Sequence, residues 1–383
     1  MKHVVIAGGG YAGLAAARTL AGRPELVEVT LVDRLVDHQL LTRLPEVFAG
    51  TVAADQAVLR FDRVLPSTVR TVQAEITGLD PKTRSVSTTL GTITGDILVL
   101  TTGSTAGYHE VPGAAEYGRS VRSIDDALHL RFAVLDQQVS GNQVRVVVVG
   151  AGYTGTEMAG ECASWPGGPD VTLVAADPRL LPQGNERVAE LAERILAGKH
   201  VKFMLGMATK AVDSAGVSLA DGTQLPADIV IWAAPAVAPP LTRQLYADYS
   251  PPGRLVTDPF LHVPRWKGVF AAGDVALIPN PQDEGWLPSS AQIAVQAGRY
   301  LAKGILAEIE ERSFRVFRPT VLGEALSLGG HDGVAEVLGA IVTGRRALSV
   351  KQAALIRYIW EIGGARLVRG TLRDGSVRGS NAG

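Results

Sequence analysis

Residues 4–20 read VVIAGGGYAGLAAARTL, and residues 146–162 read VVVVGAGYTGTEMAGEC. Each is a β-branched run, a GxGxxG turn and a helix rich in small residues. Each is followed by a second apolar run, VTLVDR at 29–34 and VTLVAADPR at 171–179. Strand, glycine turn, helix and second strand form the context in which the dinucleotide fingerprint has a mechanism. The first glycine of each copy, Gly8 or Gly150, permits the tight turn. The second, Gly10 or Gly152, lets the backbone approach a pyrophosphate, and the third, Gly13 or Gly155, lets helix and strand pack closely. Tyr11 and Ala12 open one helix, and Tyr153 and Thr154 the other, where unpaired N–H groups face the anion. One such turn also arises for purely structural reasons. Two in full context imply two dinucleotide sites, and the simplest pair is a tightly held flavin, FAD, with an exchangeable nicotinamide, NADH or NADPH.

The copies differ at one position. Twenty residues after Gly13 stands Asp33, and 20 after Gly155 stands Ala175. An acid there accepts hydrogen bonds from a ribose and repels the 2′-phosphate of NADPH. Asp33, followed by Arg34, is expected at the FAD adenosine, whereas Ala175 removes both the bond and the repulsion. Arg179 is placed to reach a 2′-phosphate, and Asp177 to act as a displaced ribose ligand. The expectation is weak discrimination between NADH and NADPH.

At 383 residues the chain suits two or three domains. The reading is α/β: an FAD-binding Rossmann-like domain over 1–115 and 250–320, a nicotinamide-binding one inserted at 116–249, and a small carboxyl-terminal region over 321–383. A net charge of −1 argues against a nucleic-acid partner. Cys162 is the only cysteine, which removes paired-thiol chemistry, and no His or Cys group has metal-ligand spacing, so no metal is expected. Without an 18-residue apolar run, and with a strand beginning near residue 3, a cytoplasmic location is expected, with the inner face of the cell membrane as a second possibility. Eight basic and two acidic residues between Arg345 and Arg378 give that end +6. On a helix over 350–362, Leu355, Ile356, Ile359, Trp360 and Ile362 share a side. Two readings stand: an interfacial helix on anionic lipid, or a face packed on the protein or in a homodimer. From Arg366 onward the composition suggests a loose end.

The motifs GGGYAG (8–13), VLTTGS (99–104), GAGYTG (150–155) and VFAAGDVA (269–276) resemble the two-dinucleotide-binding flavoproteins of glutathione-reductase-like fold. Within them, PSSAQIAVQAG (288–298), PRLLP (178–182) and HQLLTRLPEV (38–47) are similar to type II NADH:quinone oxidoreductases. The resemblance implies FAD contacts at Ile76, Thr102, Gly103, Gly273, Asp274 and Ala291. It also implies a helix N-terminus at Ala291 that stabilises charge on the flavin. Gln292 and Gln296, four apart on one helix face, would meet a quinone, and Glu157 would handle a proton or position the nicotinamide. The activity implied is two-electron transfer from NAD(P)H through FAD to a quinone or similar acceptor. A reductase for a ferredoxin-type protein and a redox-sensing flavoprotein are the alternatives.

Overall fold

The computed structural model describes residues 1–376 except 140, 142, 246–248 and 251–252. Strand Lys2–Ala7 is parallel to Val27–Asp33 on one side and to Ile97–Leu100 on the other. The full sheet runs 269–271, 97–100, 2–7, 27–33 and 69–73. A second sheet repeats this plan as 118–120, 229–232, 145–149, 170–175 and 202–205. Both sheets are all-parallel, and their central strands carry continuous apolar runs because both faces are covered, one by helices and the other by a three-stranded antiparallel sheet, 76–94 on the first and 209–226 on the second. The chain leaves the first sheet after Leu100, builds the second over 118–232, and returns with Val269–Ala271 beside Ile97–Leu100. In each sheet the strand order reverses beside the fingerprint strand, which is where open α/β sheets bind ligands.

The fingerprint helix Tyr11–Leu20 packs on helix Ala291–Ile309, and small residues make the approach possible. A Cβ on Gly298 would sit 2.1 Å from the Ala12 carbonyl oxygen. Three carboxyl-terminal strands, Gly323–Ser327, Gly333–Val337 and Ala340–Thr343, form an antiparallel sheet. That sheet lies against the second fingerprint helix, Tyr153–Ala163, where a Cβ on Gly160 would come within 2.6 Å of the Leu328 backbone.

The final helix, Arg345–Ser376, breaks at Gly364 (φ 64°) and then resumes, where the sequence suggested a loose end from Arg366. Its apolar face belongs to the protein. Ile359 and Ile362 are buried in the core of the first sheet, with Leu355 packed against them. Trp360, grouped with them in the sequence reading, is 57% exposed, because its position is rotated by one residue from the buried stripe. Among the described residues no helix is long and apolar enough to cross a membrane. Residues 377–383, which include Arg378, lie outside the described residues.

Candidate active site

The two fingerprints are sterically the same device. Gly8 has φ 105° and Gly150 φ 113°, and a Cβ on either would lie 2.4 Å from a carbonyl oxygen, that of Thr101 or Ala233. Both therefore need glycine for conformation and for approach. A Cβ on Gly13 or Gly155 would lie 1.9 or 1.8 Å from the carbonyl oxygen of its own first glycine, so each holds its helix close to its strand. Around Gly10 and Gly152 a Cβ would meet nothing within 4 Å. The middle glycine is free in both copies, on the side where helix N–H groups point outward, as a pyrophosphate requires.

At the first turn, Asp33 ends its strand and accepts N–H bonds from Gly9 (2.6 Å) and Leu35 (2.8 Å). Burial raises its carboxyl pKa, and those bonds oppose the rise. Arg34 beside it is exposed, and Ile76 packs on the sheet core. Across the crevice, Gly103 (φ 70°) has open space on its side-chain face, and the buried Thr102 Oγ1 has no hydrogen-bond partner. Asp274 Oδ2 accepts from Ser104 Oγ at 2.9 Å and lies 3.9 Å from Arg122 Nη2. A Cβ on Gly273 (φ 77°) would come within 3.2 Å of Ala12 and 3.8 Å of Ala294, and Asp274 shares a cleft with Ser290 at the start of helix Ala291–Ile309. There Ser290 Oγ caps the Ile293 N–H at 3.2 Å, and Ala291 is the first helical residue. Arg254 lines the same cleft, and its buried Nε is also without a partner. Orphaned donors, an open glycine turn and a helix N-terminus converge here, which is the donor set a flavin dinucleotide fits.

Gln292 and Gln296 do share a face, and both amides are engaged by the chain. Gln292 Oε1 accepts the Leu322 N–H at 2.8 Å, and its Nε2 donates to the Gly323 carbonyl at 3.4 Å. Gln296 Oε1 accepts from Thr320 N–H and its Nε2 donates to Thr320 O, both at 2.9 Å. The pair pins the segment leading into the carboxyl-terminal sheet to the helix that opens at this cleft.

Glu157 enters a cluster that sequence spacing did not reveal. It is buried, accepts the Ser327 N–H at 3.0 Å, and lies 2.6 Å from Lys351 Nζ on the final helix. Lys351 also reaches Glu46, in helix Leu44–Ala49, at 3.0 Å. Glu161, one turn beyond Glu157, is 5% exposed. One ammonium thus pairs with two carboxylates, and a third stands beside them. Burial raises the Glu157 pKa against the pull of Lys351. Burial, then Glu46 and Glu157, push Glu161 up to about 7. Burial would depress the Lys351 ammonium, but the two carboxylates outweigh it and hold it charged.

At the second turn Ala175 is buried at the strand end, while Asp177 is exposed. The Arg179 guanidinium folds back on its own loop, donating to the carbonyls of Pro182 (2.8 Å) and Gly184 (3.2 Å). Thr154 lies in the first helical turn, half-buried. Tyr153 donates its hydroxyl to Glu324 of the carboxyl-terminal sheet, and the same carboxylate accepts the Asn185 N–H at 2.8 Å. Burial, and then the bond to Glu324, raise the Tyr153 pKa, so the phenol remains a donor.

The sequence reading also missed His38, Tyr358, Glu324 and Lys351. Lys351 left a usable trace, standing one helical turn before Leu355 on the buried stripe, and His38 opens the HQLLTRLPEV stretch.

The chain belongs to the pyridine nucleotide-disulphide oxidoreductase family, which it matches over residues 2–298. It is 30% identical over 393 residues to the type II NADH:quinone oxidoreductase of Staphylococcus aureus, covering 96% of this chain and 97% of that protein. The corresponding protein of Staphylococcus saprophyticus is 28% identical over 391 residues, with the same coverage. The solved structure of NDH2 from Plasmodium falciparum in complex with NADH superposes with a TM-score of 0.87 at 16% identity, over 99% of both chains. The last likeness is one of fold.

Proposed function

We infer that the chain is an FAD-dependent NADH dehydrogenase that passes two electrons to a quinone. The observation that carries this reading is the pair of fingerprints whose middle glycines both open onto free space. The acceptor class follows the name of the Staphylococcus relatives. We assign the first turn, with Asp33, Thr102, Gly103, Asp274 and Ala291, to FAD and the second to the nicotinamide. The domain division is 1–115 with 250–320, then 116–249, then 321–383.

Bound flavin supplies the two-electron carrier between nicotinamide and acceptor. The chain's residues bind and orient. Helix Tyr11–Leu20 presents its N–H groups to one pyrophosphate and helix Tyr153–Ala163 to the other. The N-terminus of Ala291–Ile309 favours negative charge at the cleft beside Asp274. The Glu157, Glu161, Glu46 and Lys351 cluster holds protons in a buried place shared by the second fingerprint helix and the final helix. Gln292 and Gln296 fix residues 320–323 at the acceptor side. The basic carboxyl-terminal segment and the exposed Trp360 support peripheral contact with anionic lipid.

The test is a stopped-flow separation of half-reactions on FAD-loaded protein. Gln296→Ala should slow flavin reoxidation by menadione and leave flavin reduction by NADH nearly intact. The reverse pattern moves the acceptor site elsewhere. Protein that shows no flavin absorbance, and no NADH-dependent menadione reduction with added FAD, ends the reading.

A further inference from the structure

Glu324 stands on the edge strand of the carboxyl-terminal sheet, 171 residues from Tyr153, yet it closes on the second fingerprint. Its carboxylate accepts the hydroxyl of Tyr153, the residue that opens helix Tyr153–Ala163, and the Asn185 N–H at 2.8 Å. Asn185 in turn caps helix Glu186–Gly198, its side chain accepting from the N–H groups of Arg187 and Val188. The loop between Ala175 and Asn185 runs against this contact. A Cβ on Gly184 would lie 2.8 Å from Glu324 Oε2 and 2.9 Å from the Tyr153 hydroxyl oxygen. On the same loop the Leu181 N–H donates to the Ala151 carbonyl, inside the fingerprint, at 2.8 Å.

Both neighbours of the open Gly152 are thus tied to the loop over 181–185, Ala151 directly and Tyr153 through Glu324. Tyr153 is 41% exposed, so without its partner the ring would sample several rotamers, and a ligand docking at the helix start would have to order it. The carboxylate is delivered from a fixed base. Gln292 and Gln296 hold Thr320, Leu322 and Gly323, the residues that lead up to it. Gly323 itself (φ 132°) has no room for a side chain, since a Cβ there would lie 1.9 Å from the Glu336 carbonyl oxygen.

We propose that Glu324 is a positioning residue for the nicotinamide dinucleotide, one that orders Tyr153 and the loop 181–185 at the second turn before the ligand arrives. This rests on the assignment of the second turn to the nicotinamide. The signature is kinetic. Without Glu324 the ordering falls on the binding step, while the complex once formed keeps the same residues around the ligand, so the Michaelis constant rises and kcat does not fall.

The experiment measures NADH affinity of FAD-loaded protein from the concentration dependence of flavin reduction in stopped flow, with steady-state constants for menadione reduction and thermal midpoints alongside. Glu324→Ala should weaken NADH binding by roughly threefold to tenfold, the cost of ordering one side chain and its loop. Its kcat should stay within about twofold of wild type. Glu324→Gln keeps an oxygen for the Asn185 N–H and an amide for the phenol, and should recover most of the loss. Tyr153→Phe should weaken binding less than Glu324→Ala, and should add nothing to it in the double variant, because the hydroxyl acts only through the carboxylate. The proposal is overturned if Glu324→Ala binds NADH as the wild type does, if Gln and Ala lose affinity equally, if the two substitutions multiply, or if the loss only tracks a lower melting midpoint. Wild-type holoenzyme whose flavin NADH does not reduce would instead remove the functional reading, a result distinct from variants that bind NADH unchanged.

Discussion

Replacing Glu161 with glutamine should stabilise the protein in mild alkali and leave it unchanged in mild acid. Glu161 is buried on the second fingerprint helix beside Glu157 and Glu46, with Lys351 paired to those two and Arg43 acting on Glu46 from its other side. Its carboxyl rises from 4.5 to about 7, chiefly through burial and then through those two carboxylates. Between these values the folded protein binds more protons than the unfolded chain, so stability falls as pH rises through the window. Loss over the whole window amounts to about 3 kcal/mol. Glutamine has the shape of the protonated acid and no charge to desolvate. Urea unfolding of FAD-loaded wild type and Glu161→Gln should therefore give matching midpoints at about pH 4, and a variant more stable by up to about 3 kcal/mol at about pH 8.5. Equal shifts at both pH values, or a variant weaker in alkali, would refute the view that Lys351 and Arg43 leave this cluster with an excess of negative charge.

At the far end of helix Ala291–Ile309, His262 sits between Glu308 (2.6 Å) and Asp258 (3.0 Å), and the bond to Glu308 raises its pKa. Its stabilising effect is complete below the unfolded value and lost as pH rises through the folded one. The stability gap between wild type and His262→Asn should thus be larger at about pH 5.5 than at about pH 8.5 in thermal melts. Gly152→Ala and Gly155→Ala should separate binding from folding. Gly152 has an extended backbone (φ −71°, ψ −175°) and free space, so alanine there should keep the melting midpoint and raise the Michaelis constant for NADH. Alanine at Gly155 would collide with the Gly150 oxygen at 1.8 Å and should cost about 1–3 kcal/mol of stability. Ala175→Asp should shift the NADH-to-NADPH efficiency ratio toward NADH by roughly tenfold, mainly by damaging NADPH use, and an unchanged ratio in steady-state assays would place the discriminating charge elsewhere.

What the sequence disclosed was whatever steric necessity writes locally. Gly8, Gly13, Gly150 and Gly155 are glycines because a carbonyl stands where their Cβ would be, and spacing alone identifies their roles. The insertion of one sheet in the other was legible from the order of VLTTGS, GAGYTG and VFAAGD. The proton-holding cluster was not. Lys351 meets Glu157 across 194 residues, and Tyr358 meets His38 across 320. Nothing in a local period encodes such a pairing. The glutamines fall between: their helix face was readable, but not the backbone of 320–323 that both amides hold.

The divergence of two similar turns is explained by what closes over each. At the first, Asp33 accepts the Gly9 N–H, and the final helix arrives with Tyr358 behind His38. At the second, Ala175 has no acceptor to offer, and the carboxyl-terminal sheet arrives instead, with Glu324 receiving Tyr153 and the Asn185 N–H. Buried, multiply braced groups suit a ligand that stays, because each ordered contact slows release. The second turn is more open: Tyr153 is 41% exposed, and Asp177 faces solvent. A ligand that enters and leaves on every turnover needs that. Lys351 lies on the element that braces the first turn and pairs with Glu157 on the helix that opens the second. The carboxyl-terminal region therefore joins the first fingerprint turn to the second, although it carries no fingerprint of its own.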